Sequence, residues 1–138
     1  MPTTNEIVDF VKDFTRLDNI IDETDIFDRG VGGDDFDELI EKYAKTYSVD
    51  MKTYLWYFHS DEEGSGGIGR FFFSPPNKRV KRIPVTPSLL TEFANKGKWG
   101  IKYPKHKIPK RRYDLIINGI LSVIIIVCLI VCIFLKCQ

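Results

Sequence analysis

Apolar residues recur at helical spacing in three stretches ahead of the C-terminal tail. Ile7, Phe10, Val11, Phe14 and Leu17 fall three and four apart, predicting a helix that starts at Thr3 or Thr4 and runs to about Arg16. Phe36, Leu39, Ile40, Tyr43 and Tyr47 repeat the pattern and predict a second helix from Asp34 or Asp35. Leu89, Leu90, Phe93 and Ala94 mark another, with Thr86 as cap, Pro87 at its first position and Gly97 at its end. Trp99 is expected to pack back onto the bundle. Between the first two helices, Asp18 to Gly33 reads as a long loop punctuated by Gly30, Gly32 and Gly33, with Ile20, Ile21, Ile26 and Phe27 turned inward. Met51 to Phe58 reads as a short aromatic third helix. Ile68 to Phe73 and Arg79 to Val85 have strand composition and flank the turn signal Ser74-Pro75-Pro76-Asn77, which predicts a β-hairpin.

The periodicity vanishes at the C-terminal end. Leu115 to Leu135 holds 21 residues without a charge, and sixteen of them are Leu, Ile, Val or Phe. At about 1.5 Å per residue such a helix spans roughly 30 Å, the thickness of a bilayer's hydrocarbon core. Each apolar residue contributes roughly −0.3 to −0.6 kcal/mol to insertion, which outweighs Asn118, Gly119 and Ser122. The stretch is expected to be a transmembrane helix, on which Asn118 and Ser122 share a face able to hydrogen-bond a second helix, unless Asn118, close to the interface, is simply solvated there. Lys96, Lys98, Lys102, Lys105, Lys107, Lys110, Arg111 and Arg112 precede it and only Lys136 comes after it. The positive-inside rule then puts the N-terminal part in the cytoplasm and the C-terminus outside, and Glu6, Asp9 and Lys12 break up any N-terminal signal peptide. Cys128 and Cys132 read as small apolar residues in lipid, and Cys137 beyond them as the same or as a disulfide or lipidation position.

Charge divides the chain more sharply than the net value of +1 suggests. Residues 1–63 carry 17 acids and 6 bases, whereas residues 64–112 carry 13 bases and one acid, Glu92. The expected organisation is an acidic helical core over 1–63, a hairpin and packing helix over 64–100, a basic juxtamembrane linker over 101–114 and the membrane helix over 115–135. Arg70, Lys78, Arg79, Lys81 and Arg82 give the hairpin a positive face that is expected to clamp the acidic core. In the linker, Lys105, Lys107, Lys110, Arg111 and Arg112 are interleaved with prolines that resist helix, and their place beside the bilayer favours lipid headgroups over nucleic acid. Asp34, Asp35, Asp37, Glu38 and Glu41 crowd the start of the second helix, where the helix dipole favours negative charge.

A first helix, a long loop, an acidic second helix and a short third helix resemble the acyl carrier proteins. In that family an Asp-Ser-Leu motif at the start of the second helix carries phosphopantetheine on its serine. The matching stretch is Gly33-Asp34-Asp35-Phe36-Asp37-Glu38-Leu39, with Asp34 at the aspartate and Asp35 at the serine. A carboxylate forms a labile acyl phosphate rather than a stable phosphodiester, and no Ser or Thr lies between Thr24 and Thr46 to substitute. Asp35 reads instead as a helix cap, and phosphopantetheine is not expected. The resemblance leaves the acidic helix face, which in carriers docks basic patches on partner enzymes. Phe27-Asp28, Gly33-Asp34-Asp35, Tyr57-Phe58, the Phe71-Phe72-Phe73 run, Pro75-Pro76 and Thr86 to Trp99 further resemble the domain-of-unknown-function 1493 family. Those are small carrier-like proteins of Gram-negative bacteria with no established reaction, and the likeness spans about residues 4–100.

Other chemistry is absent from the pattern. Gly64 to Gly69 fits G-x-G-x-x-G, but acids stand before it and an expected strand after it, where a dinucleotide site needs a strand before and a helix after. Asp25 to Phe36 puts Phe27 and Arg29 at calcium-ligand positions and Phe36 where the bidentate glutamate belongs. His59 and His106 stand alone and read as surface residues, and no metal site is expected. The expected fold is therefore mostly α, a carrier-like helical bundle with a small β-hairpin and one C-terminal transmembrane helix. The expected function is that of a non-enzymatic module at the inner membrane, binding a basic partner protein through Asp34, Asp35, Asp37, Glu38 and Glu41. The alternatives are an immunity-type protein neutralising a toxin at that membrane, or a carrier with an atypical attachment site.

Overall fold

A computed structural model describes residues 1–62 and 67–136. Five helices order them: α1 (Thr4–Thr15), α2 (Gly33–Tyr47), α3 (Gly69–Phe72), α4 (Pro87–Lys96) and α5 (Tyr113–Lys136). Three 3₁₀ turns intervene, at Phe27–Arg29, Trp56–Phe58 and Pro76–Arg79. No strand occurs among the described residues, only one parallel bridge between Asp50 and Lys98.

The amphipathic periods fold as expected. Thr3 caps α1 through a reciprocal box with Glu6, each backbone N–H donating to the other's side chain. Ile7, Val8 and Val11 of α1, Phe36, Leu39, Ile40 and Tyr43 of α2, and Leu90 and Phe93 of α4 are buried in one core with Ile20, Ile26 and Trp99. The Tyr43 hydroxyl donates to the Leu90 carbonyl at 2.5 Å and ties α2 to α4, and burial pushes its pKa well up. Thr86, Pro87 and Gly97 bound α4 as expected, and Trp99 packs on Phe93 with ring centroids 4.8 Å apart.

The cap of α2 differs from expectation. Gly32 holds that position and Gly33 opens the helix at φ +54°, while Asp34 and Asp35 sit in the first turn without capping it. A Cβ on Gly32 would stand 3.1 Å from the Phe27 ring, so the site takes neither Asp nor Ser comfortably. In the preceding loop Ile20 and Ile26 are buried and Phe27 is half-buried, but Ile21 points out, 66% exposed.

Two further expectations fail for the same reason. Residues 51–58 form a turn at Lys52–Thr53, closed by Tyr54 N–H on the Met51 carbonyl, and a 3₁₀ turn over Trp56–Phe58, not a third helix. Besides these turn bonds the segment is tied to a distant one: Leu55 N–H donates to the Tyr103 hydroxyl and Thr53 Oγ1 to the Trp99 carbonyl, beside the Asp50–Lys98 bridge. Tertiary partners outcompete a weak helical period in so aromatic a stretch. The expected β-hairpin of Ile68–Phe73 and Arg79–Val85 is likewise absent. Residues 69–72 turn into α3, Pro75 and Pro76 supply no N–H donors, and the second segment bonds singly to separate neighbours, Ile83 N–H to Phe58 and Val85 carbonyl to Ile26. Residues 64–66 of the expected glycine-rich loop lie outside the described residues, as does Cys137, and residues 67 and 68 lead into the helix α3 rather than into a strand.

α5 is one helix of 24 residues, about 36 Å at 1.5 Å per residue, long and apolar enough to cross a membrane. Nothing in the described chain covers its apolar length: Val123, Ile125, Leu129 and Phe134 are all at least half exposed.

Candidate functional site

The acidic residues of α2 do not form one surface. Asp37 and Glu41, one turn apart, line an open groove of about 540 Å³ together with Lys45. Asp35 lies on another side, in a cleft shared with Phe14, Leu17 and Arg29, while Asp34 and Glu38 are simply exposed. The groove's other walls are apolar: Ile40 and Ala44 from α2, and Val49, Met51, Tyr54 and Trp56 from the chain between α2 and α3. The acid rim is electrically uneven. Glu41 accepts from Lys45 Nζ at 2.5 Å, and that bond holds its pKa below the ordinary value. Burial against the groove wall, reinforced by Asp34, raises that of Asp37. The Tyr54 hydroxyl, whose pKa rises through burial and then through Asp37, has no hydrogen bond among the described residues.

An aromatic hub supports the groove from behind. Tyr54 stacks on His59 (5.5 Å between centroids) and meets Trp99 edge-on at 4.9 Å. His59, expected at the surface, is 1% exposed. Its Nδ1 lies 2.9 Å from the Ile83 carbonyl and so carries the proton; its Nε2, 2.8 Å from the Tyr103 hydroxyl, is then the acceptor. That hydroxyl donates to His59 and accepts from Leu55 N–H and Trp99 Nε1–H, which uses its whole hydrogen-bonding capacity. Burial lowers the His59 pKa, in keeping with this neutral tautomer. His106 is at the surface as expected, its Nε2 accepting from the Tyr57 hydroxyl at 2.8 Å.

The basic segment is docked at both ends. Tyr103 is fixed by the hub, and Arg112 makes a fork to Glu62 (3.0 and 2.6 Å) and a second to Asp114 (3.0 and 2.6 Å). Arg112 is therefore engaged by two carboxylates, whereas Lys105, Lys107, Lys110 and Arg111 are exposed and form no ion pair among the described residues. The expected clamp of bases on acids exists in part: Arg82 reaches Asp25 and Asp28 at 2.7 and 2.8 Å, and Lys78 reaches Asp61 at 3.4 Å. None of these bases forms an ion pair with α2's acidic side chains among the described residues; Glu41 is paired with Lys45 of its own helix.

Met51, Tyr54 and Trp56 are among the groove residues that sequence periodicity misses, because the helix it assigns there would put Met51 and Tyr54 on one face and Trp56 on the opposite one. No group of histidine, cysteine and carboxylate side chains suited to a metal ion occurs among the described residues. Comparison with known proteins finds no match, whether to a family model, a curated protein or a solved structure.

Proposed function

We propose that the protein is a membrane-anchored, non-enzymatic docking module, carrier-like in layout, that recruits a partner bearing a basic amphipathic segment. The observation that carries this reading is the groove, in which Asp37 and Glu41 edge an apolar floor of Ile40, Ala44, Val49, Met51, Tyr54 and Trp56. A segment with apolar side chains on one face and Lys or Arg on the other meets complementary surface there, the floor supplying affinity and the carboxylates steering and register. Asp34, Asp35 and Glu38 add long-range attraction from the same helix without touching the groove.

Anchoring rests on α5, whose uncovered apolar surface favours lipid over water. The bases preceding it, against the single Lys136 at its far end, favour a cytoplasmic face for the groove, at the inner membrane if the resemblance to the Gram-negative carrier-like family holds. The exposed Lys105, Lys107, Lys110 and Arg111 suit anionic headgroups, each contributing about 1 kcal/mol near such a surface.

The test is calorimetric titration of the full chain in detergent with a synthetic Leu/Lys amphipathic helix. Reversing both rim charges, Asp37→Lys with Glu41→Lys, is expected to weaken binding about tenfold, or ~1.4 kcal/mol. Unchanged affinity would remove α2 from the recognition surface.

A further inference from the structure

The largest apolar exposure outside α5 lies on α3 and its flank, where Ile68, Phe71 and Phe72 are 56%, 84% and 72% exposed. Phenylalanines so open to water are out of keeping with a domain whose other large apolar side chains are mostly buried, and a contiguous patch of this kind marks a contact surface. Its location says what the contact is.

α3 is fastened to the root of α5. Gly69 N–H donates to Asn118 Oδ1 at 2.8 Å. A Cβ on Gly69 would collide with the Asp114 carbonyl, and one on Gly67 would lie 2.5 Å from the Asn118 amide, so only glycine permits this approach. Phe73 packs on Tyr113 with ring centroids 5.4 Å apart. The contact runs from Tyr113 to Asn118, the first turn and a half of α5, where a membrane helix passes from headgroups into acyl chains. It also gives Asn118, a polar residue at that depth, a donor from the protein's own backbone. Leu115 and Ile116, 43% and 46% exposed, make the patch continuous with the apolar surface of α5. Arg79 and Arg111 line a small cleft with Phe73 and Tyr113, placing positive charge beside it. Arg70 faces the other way, toward Asp61 and Glu62.

We propose that Ile68, Phe71 and Phe72 form a wedge that enters the interfacial zone of an anionic bilayer alongside α5. The wedge rests on the reading of α5 as a membrane anchor. With aromatic side chains at the acyl boundary and arginines at headgroup level, it has the chemistry of an interfacial element. It braces the domain at a second point of contact, so that the first turns of α5 and α3 enter the membrane as one unit.

The experiment uses the full chain carrying Cys128→Ala, Cys132→Ala and Cys137→Ala, reconstituted in vesicles of phosphatidylcholine and phosphatidylglycerol. An environment-sensitive fluorophore is attached in turn at Phe72→Cys, Phe71→Cys, Leu129→Cys and Ile21→Cys. The wedge predicts blue-shifted emission at 71 and 72, with stronger quenching by lipid spin-labelled near the glycerol than near the chain end. Position 129 should show the opposite order of quenching and position 21 neither effect. Deep quenching at 129 with aqueous emission at 71 and 72 overturns the wedge and leaves the anchor standing. No quenching at 129 overturns the anchor and the wedge with it. A blue shift at 72 without quenching by either lipid assigns the patch to a second copy of the chain, and overturns lipid as its occupant.

Discussion

Two apolar surfaces outside α5 face away from the core, and they differ in nearly every respect. The groove along α2 is concave, edged by Asp37 and Glu41, and backed by the saturated Tyr103 hub. The α3 patch is convex, flanked by Arg79 and Arg111, and seated on the root of α5 through the Gly69 N–H bond to Asn118, the close glycine approach and the Phe73–Tyr113 contact. A concave acidic surface on a rigid support selects for shape and positive charge; a convex basic-flanked one accepts any fluid apolar phase with anionic edges. On the reading proposed above, one chain would separate a specific interface from an unspecific one by curvature and by the sign of its surrounding charge.

The comparison breaks most visibly at Tyr103. Tyr103→Phe leaves Leu55 N–H and Trp99 Nε1–H without their acceptor and His59 without its donor, with an expected loss of about 3 kcal/mol in chemical denaturation. The groove should loosen with the hub, while probes on α3 report no change. Next comes Trp56→Ala, which removes part of the groove floor and is expected to weaken the amphipathic peptide by about 2 kcal/mol, roughly thirtyfold, with the melting transition little altered. His59 gives a smaller effect. Burial holds its pKa below the ordinary value of 6.5, so between the two values the unfolded chain binds a proton that the folded chain does not. Stability is then full above about pH 6.5 and declines as pH falls through that window; a denaturation series over pH that is flat there refutes the neutral, buried imidazole. Least of all, Phe71→Ser with Phe72→Ser should move the domain's stability in detergent by no more than about 0.5 kcal/mol, because both rings already face outward. A larger loss would mean that the patch is part of the core.

The core helices were legible from sequence because one period decides them. In α1, α2 and α4 the residues at three-and-four spacing supply most of the buried face, with Phe10, Phe14, Leu17, Tyr47, Leu89 and Ala94 partly buried at its edge and Val8 added to it, and Thr3, Thr86 and Gly97 cap where they were expected to. The segments from 51 to 60 and 67 to 85 were not, because their partners lie far away in sequence: Leu55 with Tyr103, Ile83 with Phe58, Gly69 with Asn118. No local signal shows that the Tyr54-to-His59 aromatics would pack as a sheetless hub, nor that a histidine among them is buried. For the site, the acids of α2 were visible as a cluster, but the division that sends Asp37 and Glu41 to the groove and Asp35 elsewhere required Met51, Tyr54 and Trp56 to be in place.

Arg112 has a mechanical consequence. By gripping Glu62, fifty positions back along the chain, together with Asp114, it ties the domain to the foot of α5. A proline-bearing tether that would otherwise act as a swivel becomes a short strut. Under the proposed docking role the module would keep one heading above its anchor, and a ligand would have to travel to the groove rather than be swept up by it.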